Sequence, residues 1–337
     1  MKALVLKNPG EAVIEPVPEP VRDVSQVLLR VRSVGLCGSD LNSFRGKNPL
    51  IAFPRILGHE VAATIVEEST QRPDLTQGTN VTILPYTSCG KCPSCRGNRP
   101  NACQFNQTMG VQRDGGLTEY IQVPTEKIFP AKLTLTELCI VEPLTVGFHA
   151  VARGRVNAED TIAVIGCGGV GLGAIAGANF RGANTIAIDV EAEKLSIAKK
   201  AGATHLINTT IESIPERLRD LTEGRGPDVI IEAVGRPATF RAAVEQVAFA
   251  GRVVYIGYAK EDVAYETRFF VQKELDILGS RNALSENFQE VIRMLEEKRF
   301  PVEEYVTETV SLDAAPDTLL QWSDNPNKFT KIMVRVN

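Results

Sequence analysis

The stretch that most restricts the fold is an apolar run entering a glycine turn: Ile162-Ala163-Val164-Ile165 leads directly into Gly166-Cys167-Gly168-Gly169-Val170-Gly171. A buried strand that feeds a G-x-G-x-x-G turn and then a helix is the phosphate-binding corner of a dinucleotide-binding βαβ unit. In that geometry Gly166 permits the tight turn, Gly168 lets the backbone approach a pyrophosphate, and Gly171 lets helix and strand pack closely. Gly169 and Val170 open the helix, whose unpaired N–H groups and dipole favour an anion. Asp189 lies 23 residues beyond Gly166, at the end of the next apolar run. A carboxylate there accepts hydrogen bonds from the adenosine ribose and repels a 2′-phosphate. The following Val190-Glu191-Ala192 brings no arginine, so NAD is favoured over NADP. Lys194 reads equally as a ribose contact and as a solvated helix residue, and Val234, just after the run Val229–Ile231, joins the cofactor-binding set.

Residues 161–180 carry no charge and are long enough to span a bilayer, but they hold six glycines. Strand, turn and helix are expected instead of a membrane span. From about residue 160, apolar runs (Thr161–Ile165, Thr185–Ile188, Val229–Ile231, Arg252–Ile256) alternate with helical stretches (Glu191–Ala201, Thr239–Phe249). That alternation predicts an α/β unit with a doubly wound parallel sheet covered on both faces. The first 147 residues contain short β-like runs broken by Gly and Pro, which predicts a mostly β unit. One helix, Glu286–Glu297, then leads into β-like pieces ending at Lys331–Val336, expected to return to the first unit. The expected domains are therefore 1–147 with 285–337, and 148–284. A length of 337 residues fits two domains of ~150 each.

The net charge of −4 offers no basic face for phosphate contacts, which argues against a nucleic-acid partner. Met1-Lys2-Ala3-Leu4-Val5-Leu6-Lys7 is charged too early for a secretion signal, so a reducing cytoplasm is expected. There, clustered cysteines serve as metal ligands more often than as disulfides. Four of the seven, Cys89, Cys92, Cys95 and Cys103, fall within fifteen positions of a loop with Gly90, Pro93, Gly97 and Pro100. Four thiolates close a tetrahedral zinc shell of the structural type. An iron–sulfur cluster, disulfides or a zinc-ribbon nucleic-acid module are the rival readings.

A second set is dispersed: Cys37 in Gly35-Leu36-Cys37-Gly38-Ser39-Asp40, His59 in Gly58-His59-Glu60, and Glu142 in Glu142-Pro143. Singly, each residue reads as packing or surface. With the four cysteines, Asp114-Gly115-Gly116-Leu117-Thr118-Glu119-Tyr120 and the glycine turn, however, the chain resembles the zinc-dependent medium-chain dehydrogenases along essentially its full length. The resemblance implies a GroES-like catalytic domain split in sequence around a Rossmann domain, and two zinc ions per chain. It implies Cys37, His59 and Glu60 as catalytic zinc ligands, Glu142 as a further ligand, direct or through water, and Ser39 as the hydroxyl that takes the substrate proton. The family often places histidine where Asn42 stands here, and Asn42 cannot act as a base. The cleft between the two domains is the expected place for hydride transfer.

Residues 53–60 and 273–283 look most like bacterial sugar-acid dehydrogenases of the L-galactonate 5-dehydrogenase type. The expected substrate is a small polyhydroxylated molecule, with Arg113 and Arg281 as candidate contacts to a hydroxyl or carboxylate. L-threonine, a polyol or a sugar phosphate is the alternative, and a catalytically silent nucleotide-binding protein is a rival class. The family also implies a homotetramer or dimer. Of the remaining cysteines and histidines, Cys139 and Cys167 read as packing, His149 as structural and His205 as a strand-edge residue.

Overall fold

The computed structural model describes residues 1–67 and 72–336, in two compact units: Met1–Glu142 with Val302–Asn337, and Pro143–Pro301. The first unit is built on a seven-stranded sheet. Its long strand Gln26–Leu36 pairs with Glu60–Ile65, Tyr120–Pro124 and the C-terminal strand Ile332–Arg335. Val27, Leu29 and Val31 alternate inward along that strand, as one buried face requires. A register shift between Val31 and Ser33 then interrupts the alternation, and Ser33 to Leu36 are buried without a break. The core packs Leu29, Val31, Leu57, Val81, Trp322 and Ile332. A short hairpin, Tyr86–Thr87 with Gln107–Thr108, flanks the cysteine loop.

The second unit carries six parallel strands in the order His205–Asn208, Asn184–Asp189, Thr161–Ile165, Val229–Glu232, Arg252–Tyr255 and Asp276–Gly279. This is the doubly wound order in which the first strand stands at the centre and the chain steps outward to both sides. Its central strands are apolar and buried on both faces, Val229–Glu232 completely so, whereas the edge strand Asp276–Gly279 is largely exposed. Residues 161–180 form the expected strand and helix, Thr161–Ile165 and Gly169–Phe180.

Three features depart from the sequence expectation. The stretch after residue 300, expected as β-like pieces, also holds the helices Val302–Tyr305 and Ala315–Asp324. The helix Ser285–Glu296 belongs to the second unit rather than the first, because its polar face is tied there. Asn287 Oδ1 meets His149 Nδ1 at 3.1 Å, and Glu290 pairs with Arg181 at 3.1 Å. The β-rich first unit also contains a short helix, Gly38–Phe44, directly after Cys37. One helix, Leu135–Arg153, has the length and apolarity to cross a membrane, but 78% of its apolar window is buried inside the protein and Pro143 interrupts it.

Candidate metal centre and dinucleotide turn

Cys37 ends the strand Gln26–Leu36 and caps the helix that follows. Its backbone N–H donates to Asp40 Oδ2 at 2.9 Å, and the other oxygen of Asp40 accepts weakly from the Gly58 N–H at 3.4 Å. Asp40 thus ties the Cys37 turn to the segment carrying His59. Asp40 is buried, and burial raises its carboxyl above the ordinary range. In the sequence Asp40 is visible only as the end of the Gly35–Asp40 motif, with no signal for this bridging role.

Ligand atoms of Cys37, His59 and Glu60 all lie within 4.8 Å of one another. His59 is buried, and its Nδ1 has no hydrogen-bond partner among the described residues. The Ser39 hydroxyl is a second buried atom without one. Burial opposes charge on the His59 ring, yet Cys37, Asp40 and Glu142 outweigh it and hold the ring well above its usual range. Such a field favours a cation. Together with the Cys37 thiol, the His59 imidazole and the Glu60 carboxylate in reach of one another, the residues fit zinc, and Glu142 lies outside that converging group.

The two glutamates differ in their engagements. Glu60 is fully buried, and both its oxygens accept from Lys331 Nζ, at 2.6 and 2.7 Å. Lys331 also donates to the Leu36 carbonyl at 3.2 Å. Gly35 opposite is obligatory here, since a Cβ on it would stand 1.9 Å from Glu60 Oε2. Glu142 is buried too and accepts a hydrogen bond from the Tyr86 hydroxyl. Burial raises the Glu142 carboxyl, with His59 acting against it. Cys139, one helical turn earlier, donates its thiol to the Glu60 carbonyl at 3.3 Å, which fixes this helix against the His59–Glu60 strand. Asn42 is exposed. Lys331, Tyr86 and Asp40 are the functional neighbours that sequence reasoning missed. For Lys331 the available signal was a lysine immediately before the apolar run Ile332-Met333-Val334.

The sulfurs of Cys89, Cys92, Cys95 and Cys103 likewise lie within 4.8 Å of one another. Cys92 stands 3.5 Å from Cys95 and 3.8 Å from Cys103. These distances are far beyond a disulfide bond. They approach the ~3.8 Å edge of a tetrahedron whose corners lie ~2.3 Å from a central zinc. Backbone N–H groups of Cys89 and Phe105 donate to Cys103 Sγ, each at 3.3 Å. The Ser94 hydroxyl holds Cys92 down to about 5, while burial pushes Cys95 up to about 11. Cys92 gives up its proton readily while Cys95 resists, as expected of a cluster that needs a cation to hold four thiolates together.

In the second unit, Gly166 has φ +99°, and a side chain there would meet Val234. A Cβ on Gly171 would stand 1.8 Å from the Gly166 carbonyl oxygen. Gly168, which caps the helix Gly169–Phe180, faces space with nothing within 4 Å. The turn is therefore closed where it packs and open where a pyrophosphate would approach. Asp189 accepts from the Cys167 N–H at 2.6 Å and from the Val190 and Glu191 N–H groups at 2.7 and 3.0 Å, which aims its carboxylate at the turn. Lys194 pairs with Glu191 at 2.9 Å. Val234 donates its N–H to Glu232 at 2.9 Å and remains partly exposed beside Gly166. Arg281 follows the strand Asp276–Gly279 and is half-buried, and Arg113 lies in the loop beyond Gln107–Thr108.

Two family profiles match the chain: an alcohol dehydrogenase GroES-like domain over residues 23–133 and a zinc-binding dehydrogenase domain over residues 169–297. The chain belongs to the zinc-dependent medium-chain dehydrogenases. Among these dehydrogenases it is 34% identical over 335 residues to an uncharacterized zinc-type alcohol dehydrogenase-like protein of Haemophilus influenzae, covering 98% of each chain. Identity is 34% to the sorbitol dehydrogenase of Bacillus subtilis, covering 100% of this chain and 98% of that one. To the L-galactonate-5-dehydrogenase of Escherichia coli it is 30%, covering 91% of each. Solved structures of medium-chain dehydrogenases superpose over the whole chain. The E. coli RspB protein, solved with NADH, gives a TM-score of 0.91 at 27% identity, covering 100% of this chain and 99% of that one. The galactitol-1-phosphate dehydrogenase of E. coli gives 0.91 at 29% with full coverage of both. The fold is the expected pair of a GroES-like and a Rossmann domain, and the protein is an oxidoreductase of the alcohol and polyol dehydrogenase class that uses zinc and a nicotinamide nucleotide.

Proposed function

We propose that the protein is an NAD-dependent dehydrogenase that oxidises a secondary alcohol of a sugar acid or polyol at a catalytic zinc held by Cys37 and His59, with Glu60 and Glu142 as the carboxylates of that centre. The observation that carries this reading is the convergence of Cys37, His59 and Glu60 within 4.8 Å beside the buried, unpartnered Ser39 hydroxyl. The chemistry supplied by the bound groups is Lewis acidity towards the substrate hydroxyl from zinc and hydride acceptance by the nicotinamide. Ser39 Oγ takes the hydroxyl proton. Asp40 keeps Cys37 and the Gly58–His59 segment in register through its two hydrogen bonds. Lys331 neutralises Glu60, so that a carboxylate stays buried beside the metal ligands without an isolated charge. Tyr86 orients Glu142 by donating to it. Asn42 carries no titratable group, so the proton leaves Ser39 without a side-chain base at that position.

Asp189, with no arginine beside it in 190–192, supports NAD over NADP. The four-cysteine loop is the structural zinc site, giving two zinc ions per chain. Arg281 is the proposed contact to a substrate hydroxyl or carboxylate. The sugar-acid preference rests on the likeness to L-galactonate-5-dehydrogenase, and the likeness to sorbitol dehydrogenase supports the polyol alternative. Relatives named L-threonine 3-dehydrogenase and D-arabitol-phosphate dehydrogenase keep amino-alcohol and sugar-phosphate substrates in the comparison. We place the enzyme in the cytoplasm, where thiolates stay reduced. The edge strand Asp276–Gly279, with Ile277 and the nearby Val271 exposed, supports assembly of copies along that edge into a homotetramer.

The test is NADH formation with a panel of L-galactonate and other sugar acids, sorbitol and other polyols, a polyol phosphate and L-threonine. The highest kcat/KM is expected within the unphosphorylated sugar acids and polyols. Preference for threonine or the phosphorylated polyol contradicts the substrate class, and no turnover on any member by zinc-replete protein contradicts the reading as an enzyme.

A further inference from the structure

Lys127 and Arg113 are two half-buried cations that neither the metal centre nor the dinucleotide turn uses. The strand Tyr86–Thr87 is where the environments part, since consecutive strand residues point to opposite faces. Tyr86 sends its hydroxyl to Glu142, whereas Thr87 Oγ1 accepts from Lys127 Nζ at 2.6 Å. Arg113 arrives beside the same hairpin. Its backbone N–H faces the Thr108 carbonyl at 3.4 Å, and Thr108 is the cross-strand partner of Tyr86. Nε and Nη2 of Arg113 are buried and meet no acceptor among the described residues. The adjacent Asp114 carboxylate is engaged by Arg55, at 3.0 Å. Burial first, and the Arg113 charge second, bring the Lys127 ammonium down to about 8, with Glu126 acting the other way. Burial also lowers Arg113.

Charges taken out of water are normally paired. Here two half-buried like charges act on each other, and the Thr87 hydroxyl of the hairpin beside both accepts from one of them. A guanidinium fork, an ammonium and a hydroxyl together match the oxygens of a phosphate group. The charge of ≈ −1.5 to −2 that a phosphate monoester carries at neutral pH also balances two cations better than a single carboxylate does.

We propose that Arg113, Lys127 and Thr87 form a binding site for a phosphate group, on the face of the strand Tyr86–Thr87 turned away from Glu142. Arg113 presents its fork, Lys127 its point charge, and Thr87 accepts from Lys127 while its own hydroxyl proton is directed at a phosphate oxygen. This takes Arg113 out of the substrate set, and the site binds free phosphate or a small phosphate monoester without competing with the alcohol.

The experiment is calorimetric titration of the zinc- and NAD-loaded protein with inorganic phosphate, the bound NAD keeping phosphate off the glycine turn. Wild type is compared with Arg113→Gln, Lys127→Met, the double variant and Arg113→Lys. One phosphate per chain is expected, bound at least tenfold more weakly by each neutralised single variant and not measurably by the double variant. Arg113→Lys keeps the charge and loses the fork, so its loss is smaller than that of Arg113→Gln. Circular dichroism and thermal unfolding in phosphate-free buffer check that the variants fold, and Arg113→Lys serves if the neutral variants do not. Absence of binding at millimolar phosphate overturns the site, as does unchanged affinity in the double variant. Phosphate inhibition competitive with the alcohol overturns its separation from the metal centre. The calorimetric result does not depend on turnover, so its failure leaves the reading of Cys37 and His59 standing.

Discussion

The two thiol-bearing clusters reach similar donor geometry by opposite routes. In the loop 89–103 four donors come from fifteen consecutive positions, held by their own backbone amides and by Ser94. The donor set is all sulfur and leaves no position for another ligand once an ion is bound. At Cys37, His59, Glu60 and Glu142 the proposed donors come from the end of one strand, the start of a second and a helix. Each is fixed by a residue distant in sequence or by the turn at Asp40. The mixed donors, with one carboxylate paired to Lys331 and the other to Tyr86, leave room for chemistry. The locally built cluster is the one proposed as a structural staple. A site assembled over long range can set the distance of each ligand separately, and this is what a reacting centre needs.

The largest effect that could break this contrast is on turnover. Cys37→Ser or His59→Ala should lower kcat/KM on the order of a thousandfold or more, the several kcal/mol that a metal supplies to a developing alkoxide. NADH binding, followed by fluorescence, should stay near the wild-type affinity, because the glycine turn belongs to the other unit. Loss of both together would mean that the dispersed cluster is holding the fold rather than the reaction.

Next comes stability. Lys331→Met leaves the buried Glu60 carboxylate without its partner, at a cost of about 3–5 kcal/mol in urea unfolding. Glu60→Gln added to Lys331→Met should recover much of that loss, since the orphaned charge disappears with it. A Lys331→Met protein as stable as wild type would show that the pair does not hold this centre.

A smaller effect is expected away from both clusters. Asp189→Ala should weaken NAD about tenfold or more, the worth of one charge-assisted hydrogen bond, with a much smaller change for NADP. Both metals should remain bound. Equal losses for the two nucleotides would contradict the ribose contact. The smallest effect is assigned to Tyr86→Phe, which removes one hydrogen bond to Glu142 and should cost only about 1 kcal/mol of stability. It should alter the visible spectrum of the cobalt-substituted protein at the catalytic position. An unchanged spectrum would separate Glu142 from the metal.

The same contrast explains what could be read before the structure. The glycine turn, Asp189 and the four cysteines are legible because each is a spacing within one short segment, where geometry follows from chain length. The alternation of apolar runs and helices likewise marked the doubly wound sheet. Glu60 and Lys331 are 271 residues apart, and Tyr86 and Glu142 are 56 apart, so no spacing rule joins them. That the helix Ser285–Glu296 belongs to the second unit is illegible in the sequence for a related reason. Its amphipathic pattern shows that one face is buried, but the contacts to His149 and Arg181 that show against what are formed across long stretches of chain.

In the proposed division of labour one cluster reacts and the other staples. The most direct test is metal content and turnover measured together on Cys37→Ser and Cys103→Ser. Each variant is predicted to carry one zinc per chain where wild type carries two. Cys37→Ser should be inactive yet folded, while Cys103→Ser should unfold at lower temperature and keep substantial turnover per remaining zinc. Normal turnover by Cys37→Ser with its catalytic zinc verified absent would contradict the assignment outright.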